Sequence, residues 1–273
     1  MYIVADIGGT KTRIAASSDL EKLSDPIIIE TPKLYNDGLA KIVELSKSLA
    51  KDEPIVEVAL DIAGLVSGDG SMALGAHHLP DWGKKPITGE IAAALGAKVH
   101  LMNDTAQVGL GEAVYGAGKG CHIVAYVTVS TGVNGVRIVD QKIDPAAYGF
   151  EIGGQYMVLG GNAKTLEELV SGRAIEERYE VHPKQIEKDS PLWEELARNF
   201  AYGLHNTILH WSPERVVLGG SMFNEIGISI DRVKVHLADI MRKFPTIPEV
   251  VHSNLGDVGG LWGGIAFLKE RRG

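Results

Sequence analysis

The chain of 273 residues is 45% hydrophobic and 23% charged, enough to bury a sizeable core as one large domain or two lobes. Its formal charge of −8 argues against a protein whose main partner is nucleic acid or an anionic membrane, though not against a locally positive pocket for a phosphorylated ligand. One cysteine, Cys121, excludes an intramolecular disulfide and a multi-thiolate metal site; no apolar run reaches the roughly 18 residues of a membrane span and the chain opens on a strand, so a cytoplasmic protein is expected.

Tyr2-Ile3-Val4-Ala5 reads as a strand and Arg13-Ile14-Ala15-Ala16 as its return, joined through Asp6-Ile7-Gly8-Gly9-Thr10-Lys11-Thr12. Gly8 and Gly9 let the backbone approach a ligand closely, and successive N–H groups in such a turn form a nest for phosphate oxygens. Thr10 and Lys11 add hydroxyl and ammonium donors, and Asp6, at the strand end, is placed to hold a hydrated divalent cation. Taken alone, such a stretch is more often an ordinary hairpin with a polar tip.

A third strand is expected at Pro26–Glu30, a helix over 37–50 with Leu39, Ile42, Val43, Leu45 and Leu49 at helical spacing, and a buried strand at Ile55–Asp61. That order describes a mixed sheet with a crossover. The stretch 62–70, which includes Gly64, is too rich in glycine for regular structure and runs on through His77-His78-Leu79-Pro80-Asp81-Trp82-Gly83 to a helix over 88–95. Such loops either line small-molecule sites or cover the surface.

A strand at 98–102 ends in Asn103-Asp104-Thr105, the expected N-cap of a helix running to about Ala113 or Val114. One of the two polar residues can cap while the other points from the strand end into a cleft. Gly116–Gly120 reads as a link between lobes. Beyond it, the strand His122–Val129, the turn Ser130-Thr131-Gly132 and the returning strand Val133–Val139 repeat the opening pattern. Glu151 follows among glycines. A helix over 191–211 presents Leu192, Leu196, Phe200, Leu204, Ile208 and Trp211 to a core, and the strand Arg215–Leu218 runs into Gly219-Gly220-Ser221 and a helix over 224–241. That last unit brings backbone close to a flat ligand such as adenine, or simply permits tight packing. A glycine-rich helix over 259–268 closes the chain.

With these pieces side by side, the sequence resembles the ROK family of sugar kinases, within the actin-like and hexokinase-like ATPases, over nearly its whole length. The resemblance rests on Asp6-Ile7-Gly8-Gly9-Thr10-Lys11, Asn103-Asp104 before a helix ending near Gly111-Glu112, Ser130-Thr131-Gly132-Val133, Glu151-Ile152-Gly153 and Val217-Leu218-Gly219-Gly220-Ser221. It implies a two-lobe α/β, actin-like (ribonuclease H-like) ATPase fold with a cleft between lobes. Residues 1–115 plus 257–273 would form the sugar-contacting lobe, and residues 116–256 the nucleotide-binding and dimerisation lobe. It implies a homodimer that binds a small-molecule sugar and ATP with Mg²⁺, and neither nucleic acid nor membrane. The reaction would pass the γ-phosphoryl group to a hydroxyl of a hexose or N-acetylated hexosamine. Asp104 would take the hydroxyl proton, a contribution of roughly 10²–10⁴ in rate. Asn103 and Glu151 would hold sugar hydroxyls, with Gly64, His78 and Asp81 as further pocket members. Asp6, Gly8, Gly9, Thr10, Lys11, Thr131, Gly132, Gly219, Gly220 and Ser221 would bind the nucleotide, Asp6 holding Mg²⁺ through water.

The chain also departs from the family's pattern. Gly154 stands where the family commonly has His, and the cysteine-rich zinc segment that follows there is here Gln155-Tyr156-Met157-Val158-Leu159. Zinc needs about four closely spaced N or S donors, so no zinc is expected. His78 stands where an Asn is usual and Ser130 where a Gly is usual, which makes the sugar pocket non-standard. A catalytically silent or regulatory sugar-binding member of the fold is the alternative; a repressor would carry a DNA-binding helix-turn-helix before the first turn. A P-loop NTPase or dinucleotide enzyme lacks its motif here.

Overall fold

The apolar runs close into two separate sheets. The computed structural model describes residues 1–76, 78–159, 161–224 and 227–272; His77 of the expected imidazole loop and residues 225 and 226 of the helix expected over 224–241 lie outside them. Elements in chain order are β1 (Tyr2–Ile7), β2 (Lys11–Ser17), β3 (Ile27–Glu30), α1 (Tyr35–Ala50), β4 (Glu57–Ile62), β5 (Leu65–Val66), β6 (Ala73–Gly75), α2 (Ile87–Leu95), β7 (Lys98–Asn103) and α3 (Asp104–Val114). They continue as β8 (Ile123–Val129), β9 (Val133–Val139), β10 (Lys142–Ile143), β11 (Tyr156–Leu159), β12 (Asn162–Thr165), α4 (Leu166–Val170), α5 (Gly172–Tyr179) and α6 (Pro191–Trp211). The chain ends with β13 (Arg215–Gly219), α7 (Ser221–Asn224), α8 (Ile230–Ile240), β14 (Glu249–His252) and α9 (Gly259–Glu270).

Two compact units divide these elements. One comprises Met1–Tyr115, Pro145–Gly149 and the segment from Leu255 on; the other comprises Gly116–Asp144 and Phe150–Asn254. In the first unit the strand order is β3-β2-β1-β4-β7, with β1 antiparallel to β2 and parallel to β4, which is parallel to β7. In the second the order is β10-β9-β8-β13-β14, with β8 antiparallel to β9 and parallel to β13, which is parallel to β14. The wiring is the same in both. Each unit opens on an antiparallel hairpin whose first strand is the middle of the five and starts a parallel run, so both hairpin turns lie at the carboxyl end of a central strand. Ligand sites in α/β sheets gather at that end.

The central strands are apolar on both faces because helices cover them. Ile3, Ile7, Leu60, Ile62 and Trp82 are core of the first unit. In the second, the six apolar residues expected on one face of the helix over 191–211 are all buried in α6, which starts at Pro191 with the Ser190 hydroxyl accepting from the Leu192 amide. Pro at the first helical position loses nothing, since its missing N–H would have no intrahelical partner.

Two expectations need correction, and one further element was not foreseen. The glycine-rich stretch after β4 is not without regular structure, because β5 and β6 pair across it as a small ribbon. The helix expected over 224–241 is α7 and α8, separate because Gly227 packs on the Trp193 indole and Ser229 starts α8 anew by accepting from the Arg232 amide. A two-stranded ribbon, β11 with β12, fills the region where zinc ligands were sought; Met157 turns inward, while Tyr156 and Val158 stay 74% and 72% exposed. Among the described residues no helix is long and apolar enough to cross a membrane.

In the first unit α9 packs on α3 with backbone nearly touching backbone. A Cβ at Gly263 would overlap the Gln107 carbonyl, and one at Gly111 would overlap the Gly259 carbonyl. The Glu112 carboxylate accepts from the Leu255 amide at 2.9 Å just before α9. Alanine is the better helix former by about 1 kcal/mol, but here its methyl meets backbone that no rotamer change can move. Gly263→Ala is therefore expected to lower the unfolding free energy by about 1–3 kcal/mol, read from urea denaturation.

Candidate active site

The first turn is built as an amide-lined cup. Gly8 donates its N–H to the Lys11 carbonyl at 3.0 Å and closes the turn. The three carbonyls of Gly8, Gly9 and Thr10 are each taken by a protein donor: the Thr31 hydroxyl at 2.7 Å, the Lys33 ammonium, and the Thr31 amide at 2.9 Å. The Gly9 and Thr10 amides donate to no acceptor among the described residues. Fixing the carbonyls on protein leaves the amide side of these peptides for an anion. Thr10 and Lys11 are exposed beside it. His78, expected in the sugar pocket, lies against this turn, its Cβ 2.5 Å from where a Cβ on Gly9 would be.

Asp6 ends β1 opposite Arg13 on β2 and Asp61 on β4. The Arg13 guanidinium reaches Asp6 at 3.2 Å and Asp257, just before α9, at 2.9 Å. Burial raises the Asp6 carboxyl above its ordinary range, against the pull of Arg13. Asp61, fully buried, is raised further, by burial first and then by the charges of Asp6 and Asp104. Neither Asp61 nor Arg13 was singled out from sequence; a buried acid inside an apolar strand run was the signal available.

The Asn103-Asp104 pair resolves into two roles. Asn103 is the cap: its Oδ1 accepts from the Ala106 amide at 3.1 Å and its Nδ2 donates to the Gly64 carbonyl at 3.0 Å. Asp104 is the first residue of α3, its Oδ1 accepting from the Thr105 amide at 2.7 Å. The negative charge stands at a helix N-terminus, where the helix dipole favours it. Gly64 adopts φ +132 and a Cβ there would overlap the Gly75 carbonyl, so its place follows from close approach to β6. Asp81 has a structural partner, accepting from the Tyr35 amide at 2.8 Å across 46 residues of chain and so capping α1.

In the second unit the turn after β8 follows the same plan. The Ser130 and Thr131 carbonyls accept from the Gly172 and Arg173 amides at 2.7 and 3.2 Å, at the start of α5, and the Thr131 and Gly132 amides have no acceptor among the described residues. Gly220 has φ +92, and a Cβ there would overlap the Val129 carbonyl at the end of β8, so Gly219-Gly220-Ser221 passes directly beside the turn. A cavity of about 170 Å³ results, lined by Ser130, Thr131, Arg173, His182, Lys184 and Ser221 among others. Glu151 stands at the start of a one-turn helix, its carboxyl raised by partial desolvation first and then by the charge of Glu167. Glu167 accepts from the Val133 amide at 2.9 Å and pairs with Arg173, which places it against Gly132. Sequence reading passed over Glu167, although its position before the Ser171-Gly172 helix start was visible.

Both turns fit phosphate oxygens by their unpaired amides. For Mg²⁺ the fit is to a hydrated ion carried by a nucleotide, since Asp6 is a single carboxylate already paired with Arg13. Among the described residues no group of three or more His, Cys, Asp or Glu side chains could hold a metal ion.

The model of the ROK family matches residues 2–271. A glucokinase of Thermotoga maritima is 25% identical over 312 residues, covering 99% of this chain and 98% of that protein. Among solved structures, a ROK hexokinase from Thermus thermophilus superposes with a TM-score of 0.88 at 23% identity, covering 100% of this chain and 99% of that one. A ROK family glucokinase from Streptomyces griseus, solved in complex with glucose and AMPPNP, gives 0.79 at 24% identity with the same coverage. These likenesses show the actin-like ATPase fold.

Two expectations follow from the geometry. Asn103→Ala should lower the unfolding free energy by about 0.5–2 kcal/mol, the usual cost of a lost cap, while Asp104→Asn should change it by less than about 0.5 kcal/mol; urea denaturation compares them. The second concerns pH. With Asp6 and Asp61 both raised above 3.8, the folded chain holds protons that the unfolded chain releases above that pH. Stability is then lost as pH rises from 3.8 through the folded values. Asp61→Asn, which cannot ionise, should therefore stabilise more at pH 7 than at pH 4.

Proposed function

The chain belongs to the ROK family, and on that premise we propose that it is an ATP-dependent carbohydrate kinase that phosphorylates a hydroxyl of a hexose or N-acetylated hexosamine. The observation that carries this reading is the division of labour at α3. Asn103 supplies the cap, so the fold keeps the Asp104 carboxylate at a strand-to-helix junction without needing it as one.

ATP brings the transferable phosphoryl group, and Mg²⁺ spreads its charge. The protein's part is to position groups and neutralise charge. Asp104 accepts the proton of the attacking hydroxyl. In the first unit the Gly9 and Thr10 amides and the Lys11 ammonium would receive phosphate oxygens, and Asp6, paired with Arg13, would hold Mg²⁺ through water. In the second unit the Thr131 and Gly132 amides offer the same kind of phosphate site, beside a 170 Å³ cavity reaching Ser221 that would take part of a nucleotide. Asn103, bonded to the Gly64 carbonyl, would hold a sugar hydroxyl, and Glu151 and His78 are carried over from the family resemblance as further sugar contacts. Asp81 stays among the proposed pocket members, with one carboxylate oxygen on the Tyr35 amide and the other left for a hydroxyl. The working form carries over from the family resemblance as a cytoplasmic homodimer using Mg²⁺.

A silent sugar-binding protein is the second reading, favoured by Gly154, which removes the imidazole usual in the family at that point. A panel of hexoses and N-acetylated hexosamines with ATP and Mg²⁺ separates the two, since a binding protein consumes no ATP. With the phosphorylated sugar in hand, Asp104→Asn should leave the fold and the ATP dissociation constant unchanged and lower kcat by about two orders of magnitude or more. Undiminished turnover in that variant would make Asp104 structural.

A further inference from the structure

Beneath the first turn of α3 lies a polar pair that the proposed chemistry does not use. We infer that Asp61 and Gln107 are positioning residues for Asp104, holding the first turn of α3 against the sheet so that its carboxylate stands in one place. The inference rests on the proposed role of Asp104.

Gln107 follows Asp104 by three residues and therefore shares its helix face. Its Nε2 donates to Asp61 Oδ2 at 2.6 Å and to the Gly260 carbonyl at 2.9 Å, with the Ala5 carbonyl at 3.5 Å. Both side chains have 0% exposure. One amide group thus ties α3 to β4, α9 and β1. Asn103 makes a second tie, from the residue before α3 to the Gly64 carbonyl beyond the end of β4. Asp61 and Ile62 on β4 pair with Met102 and Asn103 on β7, so both ties run from α3 to the strand next to its own. Two ties at different heights stop the first turn from either rotating or sliding along β4. The close packing of Gly263 on the Gln107 carbonyl closes the remaining side.

Cohesion alone does not explain such a pair. Asp61 is a carboxyl without solvent, beside Asp6 and within the field of Asp104. The Gln107 Oε1 has no hydrogen-bond partner among the described residues, while the Asp61 carboxyl also meets the Asp6 carboxyl and the Ile7 backbone. A buried polar group with an unused acceptor costs stability, and apolar residues of similar volume in such a place are commonly neutral or better. What the pair adds is direction: a hydrogen bond of 2.6 Å fixes geometry where apolar contacts tolerate sliding.

The test uses Asp61→Val/Gln107→Met, which fills the volume without polar atoms, and Asp61→Asn, which keeps an acceptor for Gln107. Measured are urea unfolding, kcat and both KM values on the phosphorylated sugar, amide exchange over residues 104–108, and the Asp104 position in a crystal structure. The double variant is expected to be at least as stable as wild type, with both KM values within about twofold and kcat lower by about ten- to a hundredfold, the size of effect that misplacement by about 1 Å produces. Exchange over 104–108 should quicken, and Asp61→Asn should keep kcat within about threefold. A double variant with wild-type kcat and wild-type exchange overturns the inference. If the double variant does not fold, Gln107→Met alone is read by the same criteria. If wild-type protein phosphorylates no sugar, the kinase reading falls by itself. Exchange and the Asp104 position then decide the inference, an unchanged pair of readings overturning it.

Discussion

The close approach of α3 and α9 is the constraint on which the first unit depends. Helices bearing ordinary side chains pack with axes about 8–10 Å apart; here Gly111, Gly259 and Gly263 let main chain meet main chain. That proximity brings the Gly260 carbonyl to Gln107 and the Asp257 carboxylate to Arg13. Through these two contacts the last helix reaches both acids at the ends of β1 and β4. A chain that spends so many glycines in one helix gives up helix propensity, and gains a site whose acids are held from three directions.

The two turns share a second logic. A peptide presents a donor on one side and an acceptor on the other, so binding the acceptors to protein decides which side is left for a ligand. In the first unit Thr31 and Lys33 do this; in the second the start of α5 does. The glycines are required less by the ligand than by the protein around them. Gly9 makes room for His78, Gly132 for Glu167 and Gly220 for the end of β8. Substituting any of them would disturb a neighbour before it disturbed an anion.

Much of this was legible in the sequence, in proportion to how local its cause was. The helix α6 shows at once, because Ser190, Pro191 and six apolar residues at helical spacing all point the same way. The duplicated hairpins show for the same reason. The structural partner of Asp81, the Tyr35 amide, was not visible because it is 46 residues away, and an acid before a Trp looks the same whether it caps a distant helix or faces a ligand. Asp61 and Gln107, also 46 apart, are equally silent in one dimension. The β11–β12 ribbon was missed because it is short and carries large apolar residues on its outer face, which reverses the alternation that marks a strand on a core.

That ribbon has a practical side. A two-stranded ribbon is marginal by itself, and this one engages the core through Met157 while Tyr156 and Val158 face water. The free energy needed to peel it away is a small part of the whole, so it can open while the five-stranded sheets stay intact. It is the place in the second unit where a peptide insertion or a reporter tag would disturb the architecture least.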